Sequence, residues 1–342
     1  MTASSVSIVV DCMGGDRGPS IPIQAAIKAL SNQPELRITL VGIKSIIEPL
    51  VAPYLKEFQT RLHWVHAPDV ITMNDSVSVA LRSKKESSMK LGLELVASGE
   101  ASAMVSSGNT GALMALARFV LKMLPGVDRP AIIAPLPSKG GRTFMLDLGA
   151  NVNSDSETLF QFGVMGSLYC QVAHGITSPK VALLNIGEES IKGNDQIKRA
   201  ALLLQENTQV NYSGFVEGHQ IYQGCADVVV CDGFVGNSLL KASEGLSNFL
   251  YAELLAEYQR SWFHKMLYLL SAPVFKRLRK KSDPEYLNGA SFVGINGSVI
   301  KSHGNANTGA FYHAILSAIA EANNNLPDKI RHEIETVLID GM

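Results

Sequence analysis

Asp227–Gly245, DVVVCDGFVGNSLLKASEG, is an apolar, strand-like run that stops abruptly in a loop bearing Asp and Gly and continues as a helical pattern. The same order recurs in SIVVDCMGGDRGP from Ser7, SAMVSSGNTGALM from Ser102, TFMLDLGANVNSD from Thr143 and VALLNIGEESIKGN from Val181. KSHGNANTGA from Lys301 is a weaker sixth case. In open parallel sheets the carboxyl ends of the strands form one rim, and ligands bind there against exposed helix N-termini. The six loops are therefore expected to share one cleft.

Helical patterns at Ile21 to Leu30, Ser45 to Phe58, Val77 to Ala97, Thr110 to Met123, Ser156 to Val172, Asp195 to Gln205 and Ser238 to Tyr258 separate the strand candidates. That alternation predicts crossover units and a doubly wound, three-layer α/β/α fold. AIIAPLPS and TFMLDLG are joined only by KGGR, too short for a parallel crossover, so these two strands are expected to form an antiparallel hairpin in a mixed, mainly parallel sheet. WFHKMLYLLSAPVFKRLRKK, from Trp262, joins large apolar residues to a basic end, and Pro273 is expected to break it near its middle. The expectation is one catalytic α/β/α domain over 1–342, with a helical hairpin excursion at 252–284.

The 342 residues, 46% hydrophobic and 18% charged, suffice for a large core. With 30 basic against 31 acidic side chains, no global field draws in nucleic acid. Cys12, Cys170, Cys225 and Cys231 contain no C-x-x-C pair, which argues against a disulfide framework or structural zinc and suits a reducing cytoplasm. The first core strand begins within a few residues of Met1, with no basic and apolar leader before it, so no signal peptide is expected. No apolar stretch reaches the roughly 20 residues of a spanning helix. None of the 29 glycines is followed by another two positions on, which removes the dinucleotide fingerprint, and Gly-Lys, G-x-S-x-G and H-E-x-x-H are all missing.

What remains suits an anion that no nucleotide carries. In SSGNTGALM, Ser106, Asn109 and Thr110 offer side-chain hydrogen bonds, and Gly108 lets backbone N–H groups approach. The same residue types also cap helices. Lys192, past one strand end, and Asn237, at the start of the helix after another, are expected to face the same rim. Asp16, Asp147 and Asp232 occupy rim loops, where an acid is as often a cap or anchor as a catalyst. His303 in its Gly-rich loop is a candidate proton donor to a leaving group.

From DCMGGDRGP at Asp11, through RSKKESSM at Arg82, SSGNTGALM at Ser106, RPA at Arg129, LDLGAN at Leu146, LNIGEESIKGN at Leu184 and DGFVGNSLLKASEG at Asp232, to HGNANTGA at His303, the chain resembles the bacterial acyl-acyl-carrier-protein:phosphate acyltransferases of phospholipid synthesis. The resemblance implies transfer of a long-chain fatty acyl group from acyl carrier protein to inorganic phosphate, on a fold similar to isopropylmalate dehydrogenases and phosphate acetyltransferases. It implies a homodimer, no cofactor or metal, and active-site roles for Lys192 and Asn237. Its acyl phosphate product feeds a downstream membrane glycerol-3-phosphate acyltransferase, so a cytoplasmic enzyme with peripheral contact to the inner face of the membrane is expected. Leu269, Leu270, Lys276, Arg277, Arg279 and Lys280 are the candidates for contacting membrane or carrier protein. Cys12 and Ser107 stand where the family commonly has Ala, which favours direct attack by phosphate over a covalent acyl-enzyme. Two other classes stay open on the residues alone: a metal- and NAD-dependent decarboxylating dehydrogenase of the same fold, and a membrane-associated scaffold.

Overall fold

The computed structural model describes residues 6–282, 285 and 288–339, without the side chains of 279–282, 338 and 339. Its strands are β1 (Ser7–Asp11), β2 (Arg37–Gly42), β3 (Leu62–His66), β4 (Ala103–Ser106), β5 (Ala131–Ser138), β6 (Gly141–Leu146), β7 (Val181–Leu184), β8 (Tyr212–Val216), β9 (Val228–Val230), β10 (Ala290–Val293) and β11 (Ser298–Lys301). The helices are α1 (Ser20–Asn32), α2 (Lys44–Val51), α3 (Leu55–Phe58), α4 (Val77–Arg82), α5 (Ser88–Ala97), α6 (Thr110–Leu121), α7 (Ser156–His174), α8 (Asp195–Glu206), α9 (Gly233–Gln259), α10 (Trp262–Ser282), α11 (Thr308–Asn324) and α12 (Leu326–Ile339). All strands join one sheet in the order β3-β2-β1-β4-β11-β10-β5-β6-β9-β7-β8.

Period-2 alternation sorts each strand between the two faces of this sheet. Val9, Met104, Met145 and Val229 join a core under α5 and α6, while Ile8, Val10, Ala103 and Val105 pack on the opposite face with residues of α1 and α11. Phe144, Leu146, Val228 and Val230 meet α7 and α12 on that opposite face of the second half. A strand buried on both sides must be apolar throughout, which is why these runs show no polar alternation in the sequence. β5 and β6 form the expected antiparallel hairpin, pairing Ala134 with Met145 and Ser138 with Gly141.

The single-rim expectation needs correction. β1, β2, β3, β4 and β11 are mutually parallel, as are β6, β7, β8 and β9, but three antiparallel pairings (β11–β10, β10–β5, β5–β6) separate the sets, which therefore run in opposite senses. Twist of about 20–25° per strand accumulates over the five steps from β4 to β9, so the two carboxyl edges no longer point directly apart. β5 belongs to both halves: Ala131–Ile133 pair with β10, and Ala134–Ser138 with β6.

Local sequence explains the other departures. The pattern over Val77 to Ala97 splits into α4 and α5 because Ser87 caps α5, accepting from Lys90 N–H, and this leaves Lys84 and Lys85 in the turn between them. Ser45 to Phe58 divides into α2, a 3-10 turn at Ala52–Tyr54 and α3, around Pro49 and Pro53. α9 begins at Gly233, far before the expected start of the hairpin, and α10 carries Pro273 inside one continuous helix. The missing N–H of Pro273 leaves a carbonyl one turn earlier to water on an exposed stretch, which an exposed helix tolerates better than a buried one. α9 and α10 meet through Tyr258, Tyr268 and Phe275, with Tyr258 5.3 Å by ring centroid from each of the other two.

Candidate active site

One cavity of about 770 Å³ lies between α9 and the sheet. Five of the six quoted loops contribute lining residues: Asp16 after β1, Gly108 and Thr110 after β4, Leu148 after β6, Asn237 after β9, and Lys301–Asn305 at the end of β11. The sixth loop does not. Lys192 is exposed between β7 and α8, where its carbonyl accepts from Asn185 Nδ2 at 3.2 Å, and it stands outside the lining.

Of the expected anion cradle, Gly108 and Thr110 line the cavity at the N-terminus of α6, and Ser106 and Asn109 are engaged elsewhere. Ser106 Oγ is fully buried; it donates to Asp11 Oδ2 at 2.7 Å and accepts from Gly108 N–H at 3.1 Å. Asp11 also accepts from Ser88 Oγ at 2.7 Å and Met13 N–H at 3.0 Å, so a buried carboxylate fixes the floor of this loop from three sides. Asn109 caps α6 through Ala112 N–H, and its amide donates to the carbonyls of Met73 and Asp75. These two polar side chains therefore shape the loop instead of facing its cavity. Backbone contact is close here: a Cβ at Gly14 would stand 2.6 Å from Gly108 N, so only glycine lets the β1 and β4 loops touch.

The three acids divide as caps, anchors and lining. Asp147 is fully buried and accepts from the N–H groups of Ile132, Ala150 and Asn151 and from Asn151 Nδ2. Burial pushes its carboxyl up, and those four hydrogen bonds oppose the rise. Asp232 caps α9, accepting from Val235 N–H at 2.9 Å. Asp16 alone lines the cavity, its N–H donating to Gly304 O at 2.9 Å. Gly236 explains how α9 enters so tightly, since a Cβ there would lie 1.9 Å from Asp147 O. The next residue, Asn237, thereby reaches the cavity beside Gly149.

The cavity also gathers charges that the motifs alone did not single out. Asn237, Lys241 and Glu244, spaced i, i+4, i+7, occupy one face of α9, and that spacing was the available signal. Glu244 Oε2 accepts from Lys241 Nζ at 2.8 Å, and its Oε1 lies 3.4 Å from His303 Nε2. Lys301, at the very end of β11, is half-buried, donates to Ser302 O and lines the same space. Burial, reinforced by the Lys241 cation, pushes the Lys301 ammonium down to about 8, against the pull of Asp11 and Asp16. Burial also holds the His303 imidazole below its usual range, with Glu244 opposing and the two lysines assisting. The remaining wall is apolar: Ile132, Ala134, Leu136, Leu148, Leu240 and Leu250. Among the described residues no group of three or more His, Cys, Asp or Glu side chains converges as a metal ion would need. Cys12 and Ser107 are buried outside the lining, and burial, then the neighbouring Asp11, drives the Cys12 thiol well up, away from a reactive thiolate.

On the hairpin, Leu269 and Leu270 are 73% and 72% exposed, and Lys276 and Arg277 are exposed as well. The side chains of Arg279 and Lys280 lie outside the described residues.

The fold and site define a three-layer α/β/α protein with a largely apolar, cation-bearing cleft at its strand ends. Solved structures share the fold: a phosphotransacetylase from Streptococcus pyogenes (TM-score 0.64, 17% identity, 93% of this chain and 94% of that one) and the EutD phosphotransacetylase from Staphylococcus aureus (0.58, 18%, 94% and 95%). Residues 6–329 match the family described as fatty acid synthesis protein. The phosphate acyltransferase of Pseudomonas syringae pv. syringae (strain B728a) is 50% identical over 99% of both chains, and that of Legionella pneumophila (strain Paris) is 49% identical over 99% of both. The chain belongs to this phosphate acyltransferase family.

Proposed function

We propose that the enzyme moves a long-chain fatty acyl group from the thioester of acyl carrier protein to inorganic phosphate, releasing an acyl phosphate for phospholipid synthesis. The carrying observation is the cavity itself, in which the Lys301 cation and the N-terminus of α6 share one space with an apolar wall long enough for an alkyl chain. From Ile132 to Pro137 along β5 that wall runs about 17 Å at roughly 3.3 Å per residue.

A thioester is already activated, so the protein need supply no covalent nucleophile. Its task is to desolvate phosphate and align it with the carbonyl carbon at about 3–3.5 Å, which proximity rewards with roughly 7–11 kcal/mol. In this reading Lys301, the Gly108–Thr110 backbone and the positive end of α6 hold phosphate, and Asn237 donates to the carbonyl oxygen as it gains charge. Its phosphate oxygen attacks, the C–S bond breaks, and the electron pair leaves with the carrier's thiolate. His303 changes role from the acid expected above: its Nε2 lies 3.4 Å from Glu244, and a neutral imidazole with the proton on that nitrogen leaves Nδ1 to accept a proton from phosphate. Lys192, exposed on its loop, acts as a steering charge for the anionic substrates. No cofactor enters this chemistry.

We place the enzyme in the cytoplasm as a homodimer that touches the membrane peripherally. No described helix is long and apolar enough to cross a membrane. Leaving side chains such as Trp262, Leu269 and Leu270 in water forgoes roughly 5–9 kcal/mol of burial, and the adjacent basic residues suit anionic headgroups.

The test is incubation with palmitoyl-loaded acyl carrier protein, with and without phosphate, trapping product with hydroxylamine. Phosphate-dependent formation of the hydroxamate supports the reading. Thioester loss at the same rate without phosphate contradicts it.

A further inference from the structure

Two side-chain contacts grip successive residues of α9 from different walls of the cavity. Glu244 meets His303 from the β11 side. Ser243 meets Tyr222, whose phenol donates to its hydroxyl. Tyr222 belongs to the 3-10 turn Ile221–Gln223, which is fastened to the β5–β6 hairpin: its carbonyl accepts from Lys139 N–H at 2.8 Å, and Ile221 O accepts from Thr143 Oγ1 at 3.2 Å. The ring therefore reaches across from a fixed base at the end of β5.

Its position along α9 gives it a function. Inward of Ser243 the apolar lining is Leu240 with Ile132, Ala134 and Leu148, all wholly or partly buried. Outward of it are Leu246 and Leu250, which also line the cavity yet are 59% and 57% exposed. At 1.5 Å per residue, Leu240 to Leu250 covers about 15 Å, and the Tyr222–Ser243 contact crosses that path within its first third.

We infer that Tyr222, tethered by Ser243, is a gate across the acyl path that sets which chain lengths the enzyme accepts. This rests on the acyl-transfer reading above. A short chain ends inward of the ring. A longer one must displace the ring to lay its terminal methylenes on Leu246 and Leu250. Tyr222 is 36% exposed, so it is the hydrogen bond to Ser243 that restrains its ring, and a ring without that partner is freer to change rotamer.

The experiment compares decanoyl- and hexadecanoyl-loaded acyl carrier protein as donors to wild type, Tyr222→Ala, Tyr222→Phe and Ser243→Ala. Binding of decanoate and hexadecanoate to the same proteins is measured by calorimetry, which does not depend on turnover. Tyr222→Ala is expected to raise the hexadecanoyl-to-decanoyl ratio of kcat/KM about tenfold, the scale on which pockets resolve small differences in alkyl length. Tyr222→Phe and Ser243→Ala, which keep the fold but lose the tether, should move in the same direction by less. An unchanged ratio in folded variants that still make acyl phosphate overturns the gate alone, and so does a lower ratio, which would make the ring a wall that long chains pack against. Failure of the wild type both to make acyl phosphate and to bind either fatty acid removes the acyl-transfer reading and the gate together.

Discussion

Lys301→Arg and Lys301→Met test the electrostatics of the cavity through pH. An unperturbed lysine titrates near 10.4, whereas burial beside Lys241 brings Lys301 to about 8. The charged form is present below that value and is lost as pH rises through it. At pH 9 only about one tenth of the free enzyme carries this cation, so kcat/KM for phosphate should fall about tenfold for each pH unit above 8. A unit charge 4 Å from phosphate is worth about 4 kcal/mol at an effective dielectric of 20, and removing one such contact costs on the order of 10²–10³-fold in rate. Lys301→Met should therefore be slow at every pH and lose this alkaline limb. Lys301→Arg stays charged throughout the range and should push the limb beyond pH 10 while retaining more activity than Met. The same depression has a stability consequence of defined sign. Because the folded state disfavours the protonated amine, the cost is present below about pH 8 and fades as pH rises toward 10, so Lys301→Met should melt higher than wild type at pH 7. Initial rates against phosphate concentration from pH 6.5 to 9.5, with melting curves at pH 7 and 9.5, measure both effects. A wild-type alkaline limb that survives at the same midpoint in Lys301→Arg refutes the assignment.

Asn237→Ala should lower phosphate-dependent kcat/KM by about 10²-fold at all salt concentrations, as expected for a short-range contact in the transition state. Lys192→Ala should lower it about tenfold at low ionic strength, with the deficit shrinking as salt rises, because an exposed charge acts through a screened field. Rates from 10 mM to 0.5 M salt separate the two, and a salt-independent loss for Lys192→Ala would place it in the cavity chemistry. Ser106→Ala removes one of the donors that Asp11 holds in the buried floor and should cost about 1.5–3 kcal/mol of stability by denaturant titration; full stability would mean that the carboxylate had found another partner. Leu269→Glu with Leu270→Glu should release the protein from anionic liposomes in co-sedimentation while leaving turnover on soluble donor largely unchanged. Dissociation of that variant into inactive monomers would assign the leucines to a subunit interface.

The sequence carried the layers of the fold because the central strands are covered on both faces and must be uniformly apolar, as in Val228–Val230, and because KGGR is too short for anything except a hairpin. It did not carry the opposed sense of the two strand sets, which depends on the three antiparallel pairings around β5 and β10. The site was legible where a residue's backbone position decided its place: Asn237, Gly108 and Thr110 follow strand ends and reach the cavity. Ser106 and Asn109 follow the same strand end, but their side chains turn to Asp11 and to the 72–75 loop. Capping and anion binding use identical residue types, so only the partner distinguishes them. Lys301 and Glu244 were hidden for the opposite reason. A charged residue at the end of an apolar strand or on a long helix normally meets solvent, whereas here Glu244 meets His303 just past the end of β11 and both Glu244 and Lys301 line the cavity.

Phosphate, in the mechanism proposed here, attacks the thioester directly within this one cavity. The most direct measurement is exchange of isotopically labelled free acyl carrier protein into unlabelled acyl-loaded carrier on the enzyme, with no phosphate present. Direct attack predicts no exchange above the rate without enzyme, in wild type and in Cys12→Ala and Ser107→Ala alike. Enzyme-dependent exchange in the absence of phosphate would show that the acyl group first passes to the protein, and would contradict direct attack.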